Sequence, residues 1–178
     1  MKGVTTQEFD HGFKRIVKEL KILEGKPFVK VGFQGAKGDA QHTGSIGSTV
    51  TGVAVCNEFG TSTIPERPFM RSTFDIEKDK WSKRTAELAD LIYLGKTNVK
   101  QALGILGQTI QQAIKDRIKN SREWAAANAE STYMRKLKKG GSPGEVVPLI
   151  DTAQMINATS YQTVMKSSCD DSNGVESK

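Results

Sequence analysis

Residues 57–70 read NEFGTSTIPERPFM and hold two of the five prolines of this 178-residue chain. Proline fixes its own φ and disfavours helical backbone at the residue before it, so Pro65 and Pro68 exclude a helix here. Gly60 supplies a turn that a residue with a side chain adopts only at a cost. The sequence therefore predicts a rigid elbow, after which a helix can begin only at Phe69.

The side chains of this elbow fall into an apolar set and a charged set. The apolar set is expected to anchor the elbow to the core: Phe59, Ile64 and Phe69. The charged set remains available for ion pairs, within the chain or with a neighbouring copy: Glu58, Glu66, Arg67 and Arg71. Of these, Arg67 is the best candidate for a structural ion pair.

Apolar residues recur at helical spacing in three long segments of the chain. They predict helices over residues 5–24, 69–94 and 98–120. The predicted apolar stripe of the second helix has Phe74, Trp81 and Leu88 at seven-residue spacing, and Leu91 and Ile92 complete it. Most of the chain is therefore expected to be helical.

Two short segments with strand patterns lie far apart in the sequence. FVKVGF at 28–33 alternates apolar and other residues, and TSYQTVM at 159–165 reads as a closing strand. We expect the two to pair. The fold class is therefore α+β, a small, mostly antiparallel sheet packed with three long helices.

Two further segments predict short helices. TVTGVAVCNEF at 49–59 fits a strand or a short helix, and the helix leading into Gly60 is favoured. Near the end of the chain, Asp151 or Thr152 is placed as the N-cap of a helix that ends near Ala158, because Gln154 stands three residues after Asp151 at capping-box spacing.

Residues 1–165 are expected to form a single domain, and the polar residues 166–178 a disordered tail. Inside the domain, QGAKGDAQHTGSIGS at 34–48 has four glycines and predicts a mobile loop. Residues 121–148 pass from helix formers to a basic run and then to Gly and Pro, and predict a partly ordered excursion.

Residues with catalytic or metal-binding chemistry are sparse. The two histidines, His11 and His42, have no further ligands at metal-site spacing, and no phosphate-loop or nucleophile motif is present. Cys56 and Cys169 fit neither a disulfide framework nor a zinc site. We therefore expect no enzyme activity, no catalytic residue, no metal and no cofactor. No apolar stretch approaches the roughly 18 residues of a membrane helix, so no membrane partner is expected.

The formal net charge is +6, which permits contact with nucleic acid without requiring it. The densest basic run, RKLKK, is followed by glycines and suits a flexible arm that touches DNA phosphate or an acidic partner. Its basic residues are Arg135, Lys136, Lys138 and Lys139.

Two motifs together resemble hallmarks of the neck and tail-completion proteins of tailed bacteriophages, the head–tail joining, virion morphogenesis and minor tail proteins. NEFGTSTIPERPFMR at 57–71 is similar to their EFGT…IPxRPF, and STYMRK…PLIDTAQMINATSY is similar to their T…RK…PLIDTGxLxxSI. The resemblance extends over most of residues 5–165. One departure is Ala153, which stands where the family usually has Gly and suggests that the backbone there need not be left-handed.

The resemblance implies a structural protomer that assembles with copies of itself into a ring, a hexamer or a dodecamer, around the DNA channel of the virion neck or tail. Implied partners are other neck and connector proteins and the tail terminator or tail tube protein, with assembly in the host cytoplasm. The implied interface or structural residues are Glu58, Phe59, Gly60, Pro65, Arg67, Pro68, Phe69, Arg71, Pro148, Leu149, Asp151 and Thr152. The alternative hypothesis is a basic accessory protein that binds DNA without sequence specificity through the RKLKK residues.

Overall fold

The structure is a computed structural model that describes residues 12–43, 47–142 and 144–165. Its only sheet within these ranges pairs the two predicted strands, β1 (Phe28–Phe33) and β2 (Thr159–Val164), in antiparallel register. Eight helices are formed by the described residues: α1 (Phe13–Glu24), α2 (Gly35–Asp39), α3 (Val50–Phe59), α4 (Phe69–Tyr93), α5 (Val99–Lys119), α6 (Ser121–Trp124), α7 (Glu130–Lys138) and α8 (Gln154–Ala158). The α+β class and the pairing of the two distant strands are confirmed.

Helix α5 packs directly on the sheet through a glycine. A Cβ added at Gly107 would lie 2.6 Å from Cδ2 of Tyr161 and 2.7 Å from Cγ2 of Val29, so only a residue without a side chain allows this approach. At Gly104, one turn earlier, a Cβ would meet nothing within 4 Å. The close approach at Gly107 is therefore made to the sheet.

Helix α4 buries only part of the predicted stripe: Leu88 is buried, and Trp81, Leu91 and Ile92 are half-buried. Phe74 is 59% exposed and contacts Trp81 edge-on, with 6.0 Å between ring centroids. The buried residues are Phe69, Thr73 and Leu88. Thr73 and Phe74 differ by one position, about 100° around a helix. The seven-residue spacing indicated a helix correctly and placed the buried Leu88 on the core side, but it placed the exposed Phe74 there as well.

The main core cluster takes its residues from α3, the beginning of α4, the end of α5, α8 and Leu149: Val50, Ala54, Phe69, Ile114, Ile118, Leu149, Met155 and Ala158. Phe69 is fully buried and meets the ring of Phe33 edge-on at 6.0 Å. Of the three expected anchors of the elbow, Phe69 is confirmed and Ile64 is half-buried. The third is wrong: Phe59 is 62% exposed, and the guanidinium of Arg71 lies over its ring at 4.7 Å.

The segment predicted to be a mobile loop and the segment predicted to be partly ordered both contain helices. The stretch 34–48 includes α2, which Thr51 holds by donating a hydrogen bond from Oγ1 to the carbonyl of Gly38 at 2.9 Å. The stretch 121–148 includes α6 and α7. Both predictions relied on local composition, whereas the stabilising contacts come from distant segments. Residues 44–46 of the first stretch and 143 of the second lie outside the described residues.

The capping-box prediction for α8 is wrong. The N-cap is Ala153 at φ = 56°, and no side chain caps the helix. Oε1 of Gln154 instead accepts hydrogen bonds from the backbone N and Oγ1 of Thr43 and from Oγ1 of Thr152. The backbone at residue 153 is therefore left-handed although the residue is alanine, so the inference drawn from its identity is also wrong.

The remaining predicted boundaries agree with the structure except at the chain ends. The helix over 49–59, the end of the last helix at Ala158 and the two long helices match within a few residues. Helix α1 is described only from Phe13, so the predicted start at residue 5 lies outside the described residues. The same holds for the predicted tail at 166–178, and for His11 and Cys169.

Candidate functional site

Glu58, at the end of α3, caps the N-terminus of α4. Helix α4 begins after Pro68, whose side chain makes no capping hydrogen bond, and its first turn contains no acidic residue. The carboxylate of Glu58 is 5% exposed and accepts hydrogen bonds from the backbone N of Met70 at 2.9 Å and of Arg71 at 3.0 Å. A negative charge at this position satisfies free N–H groups and is favoured by the helix dipole.

Arg71 joins both acids of the elbow. Its Nε donates to Oε1 of Glu58 at 3.1 Å, and its Nη2 donates to Oε1 of Glu66 at 2.6 Å and to the backbone carbonyl of Glu58. The hydrogen bonds to Glu58 first, and then to Glu66, raise the pKa of the Arg71 guanidinium. The expected ion pairs of these three residues are therefore formed within the chain.

Arg67 is buried without a carboxylate partner among the described residues. It is 4% exposed, and its guanidinium donates to the carbonyls of Ala126 and Ala127 and to Oδ1 of Asn57, at 2.8 to 3.0 Å. Desolvation lowers its pKa. The prediction that Arg67 makes a structural ion pair is wrong, because its acceptors are neutral oxygens. Its hydrogen bonds to Ala126 and Ala127 connect the elbow to the segment between α6 and α7.

The elbow itself has the predicted rigid turn. Gly60 lies at φ = 73°, and an added Cβ would be 3.0 Å from the backbone N of Glu66. The backbone N of Thr61 donates to the carbonyl of Ile64 at 2.8 Å, while Oγ1 of Thr61 accepts from the backbone N of Ile64 at 3.0 Å. Both a left-handed conformation and close packing therefore require glycine at this position.

The basic run is the end of α7 and not a flexible arm. Lys136 is 7% exposed, and its Nζ donates to the carbonyls of Val147 at 2.7 Å and Pro148 at 3.1 Å. Desolvation is the main cause that lowers the pKa of Lys136 to about 8. Since the burial arises from a segment that follows in the sequence, composition alone gave no sign of it.

Two other residues of the basic run contact the same segment through Asp151. Nη2 of Arg135 and Nζ of Lys139 each lie 3.4 Å from its carboxylate. Lys138 is exposed. Of the remaining motif residues in this segment, Leu149 is buried in the core and Thr152 is exposed.

The two motifs meet at a cleft of about 200 Å³. The residues from the first motif include Asn57, Ile64, Pro65 and Arg67. Those from the second include Arg135, Lys136, Pro148, Leu149, Asp151 and Thr152. Glu58, Phe59, Phe69 and Arg71 do not line this cleft, nor do Lys138 and Lys139. The structure therefore brings together part of each motif, and leaves the α4 cap as a separate cluster.

Some residues of this site were not identified from the sequence. Asn57 and Asn128 line the cleft, and the carbonyls of Ala126 and Ala127 bind Arg67. No local pattern marks them, because each acts through a contact with a distant segment. The cap by Glu58 did have a sequence signal: a helix that begins after a proline, with no acidic or capping residue in its first turn, needs an acceptor from elsewhere.

Large apolar side chains are exposed at both ends of α4. Near its beginning they are Val55, Phe59, Phe74 and Ile76. Near its end they include Leu20, Leu23 and Tyr93, which line an apolar groove between α1 and α4. A helix of 25 residues is about 37 Å long, so these two surfaces are far apart.

Within the described ranges, no group of three or more His, Cys, Asp or Glu side chains is placed to hold a metal ion. In the same part of the chain, no helix combines the length and apolar character needed to cross a membrane.

Comparison of this chain with models of protein families, with curated proteins and with solved structures gave no match.

Proposed function

We propose that the chain is a structural virion protein of a tailed phage, a neck or tail-completion component that forms or completes the head–tail interface as a homo-oligomeric ring around the DNA channel. The proposal starts from the two motifs of the sequence resemblance. One observation carries it further: the motifs lie far apart in the sequence, yet Arg67 and Lys136 lie in the same cleft wall. Residues of both motifs therefore stabilise the same part of the fold, the wall of the cleft.

The exposed apolar surfaces support assembly with further copies of the chain. Closed rings form through interfaces that join two different surfaces of each protomer. The described residues present two such surfaces, at the beginning of α4 around Phe74 and at its end around Tyr93. Exposed aromatic side chains are typical of protein interfaces. Under this proposal the partners are other copies, neighbouring neck and connector proteins and the tail terminator or tail tube, in a particle assembled in the host cytoplasm.

The alternative, a basic protein that binds DNA through residues 135–139, receives less support. Its arm is the end of a helix, Lys136 is buried, and Arg135 and Lys139 contact Asp151. Of the four basic residues of the run, only Lys138 is exposed, lies outside the cleft lining and makes no ion pair with Asp151. Non-specific binding depends on several cations that reach phosphates together, and this geometry offers few.

Native mass spectrometry of the purified chain, alone and with candidate neck partners, tests the assembly role. We expect oligomers that Phe74→Ser weakens, since the variant removes an exposed aromatic ring from one proposed interface. Lys83→Ser is the matched control, because Lys83 is exposed on the same helix about 180° away from Phe74. A wild-type chain that stays monomeric at every concentration and with every partner would count against the proposal, and so would equal effects of the two variants.

A further inference from the structure

Two buried cations in the wall of the cleft are hydrogen-bonded but not neutralised. Three N–H groups of the Arg67 guanidinium bind neutral oxygens, and a guanidinium has five. Lys136 binds two carbonyls, and the amide oxygen of Asn128, in the orientation that satisfies its neighbours, accepts its third proton at 3.2 Å. Burying a charge without an opposite charge is unfavourable. The cleft therefore carries a positive charge that its described hydrogen bonds do not balance.

The charged side chains around Lys136 come from several elements. Arg67 belongs to the elbow, Arg135 and Lys139 to α7 and its end, and Asp151 to the segment before α8. Asp151 is the single carboxylate among these neighbours, and it lies 3.4 Å from both Arg135 and Lys139. One negative charge against four positive charges leaves an excess that favours an anionic ligand.

The shape and apolar lining of the cleft favour a carboxylate on a side chain over a DNA phosphate. Its volume is about 200 Å³, and its walls include Val53, Ile64, Leu149 and Met155 beside the cations. A glutamate can place its methylene groups against such walls and its carboxylate at their base. The phosphates of a duplex lie on a broad convex surface and cannot reach a lysine that is 7% exposed.

We propose that this cleft binds an acidic peptide segment, with an Asp or Glu carboxylate accepting hydrogen bonds from the two remaining N–H groups of Arg67 beside Lys136. The segment belongs to a partner protein. The inference goes beyond the proposed assembly role and does not require a ring. Its test uses the isolated chain, so a negative result here would leave the native mass spectrometry of oligomers unaffected.

Calorimetric titration with end-capped hexaglutamate, and with hexaglutamine as the uncharged probe, measures this binding. We expect binding of hexaglutamate alone, weakened about tenfold or more by Lys136→Gln because the bound carboxylate loses a neighbouring buried positive charge. The matched control is Lys138→Gln, which changes the same residue type on the same helix outside the cleft and should alter the affinity less than about twofold. Asp151→Asn removes the competing carboxylate and should tighten binding about two- to fivefold.

Each contrary outcome would overturn the proposal. These are equal binding of the two peptides, equal weakening by the two lysine variants, and tighter binding of a DNA duplex that is lost through Lys138→Gln.

Should Lys136→Gln fail to fold, NMR titration of the Lys136 Nζ in the wild-type protein tests the same site. The pKa of Lys136, about 8 in the free protein, should rise toward its ordinary value of 10.5 when hexaglutamate binds. An unchanged pKa at saturating peptide refutes the site. His42 also lines the cleft, so the calorimetric titration with hexaglutamate is repeated on His42→Gln.

Discussion

The cap of α4 by Glu58 gives the sharpest test of how the elbow is held. In Glu58→Gln, one carboxylate oxygen becomes an NH₂ group of similar size. The carboxylate now accepts from the backbone N of Met70 and from the backbone N and Nε of Arg71. An amide has a single acceptor oxygen, so at least one of these donors loses its partner in a site that is 5% exposed.

The expected loss of stability follows from these contacts. A hydrogen bond to a charged group contributes about 1.5–3 kcal/mol, and a buried donor left without an acceptor costs about 1–3 kcal/mol. We therefore expect Glu58→Gln to lower the free energy of unfolding by about 2–4 kcal/mol. For a chain of this size, that is a fall of roughly 5–15 °C in Tm. Urea and thermal unfolding followed by circular dichroism measure both quantities.

The matched control is Glu66→Gln. Glu66 accepts from the same guanidinium, Nη2 of Arg71, at 2.6 Å, but its side chain is 53% exposed. Exposed ion pairs contribute about 0–1 kcal/mol, so this variant should stay within 1 kcal/mol of the wild type. Similar losses in the two variants, or a loss below about 0.5 kcal/mol in Glu58→Gln, would refute the cap as a source of stability.

Three further predictions test other contacts of the fold and the cleft. Gly107→Ala should destabilise the protein by about 1–3 kcal/mol because its Cβ meets the sheet, while Gly104→Ala on the same helix should stabilise it by about 0.5–1 kcal/mol; urea unfolding of both checks the opposite signs. Ala153→Gly should raise the unfolding free energy by about 0.5–1 kcal/mol, because alanine is strained at φ = 56°; a loss would contradict the left-handed cap. Burial lowers the pKa of Lys136 to about 8, so the unfolded chain binds more protons between pH 8 and 10.5. The stability of the wild type relative to Lys136→Met should therefore rise with pH across that window, and a flat or falling difference would contradict the burial.

The parts of the fold that the sequence predicted are those that local chemistry determines. Pro65, Pro68 and Gly60 restrict the backbone wherever they occur, so the elbow and the start of α4 could be placed in advance. The strands and the long helices follow from the periodicity of their apolar residues. At Phe74 the same periodicity failed, because the side that faces the core depends on which neighbour covers the helix.

The chemistry of the cleft could not be predicted in the same way. Arg67 directly follows Glu66 in the sequence, which favours an ion pair, yet two of its three acceptors are the carbonyls of Ala126 and Ala127. Lys136 stands in a run of basic residues, which favours exposure, yet it is buried and donates to the carbonyls of Val147 and Pro148. In both cases hydrogen bonds to a distant backbone segment determine the role of the charged side chain. The local composition of the sequence does not indicate those hydrogen bonds.

An electron cryomicroscopy map of the intact particle, with mass spectrometry of the same sample, tests whether the chain is a ring-forming component of a phage neck or tail. We expect several copies of this chain in a closed ring around the DNA channel at the head–tail junction or the top of the tail. Mature particles that lack the protein would contradict it.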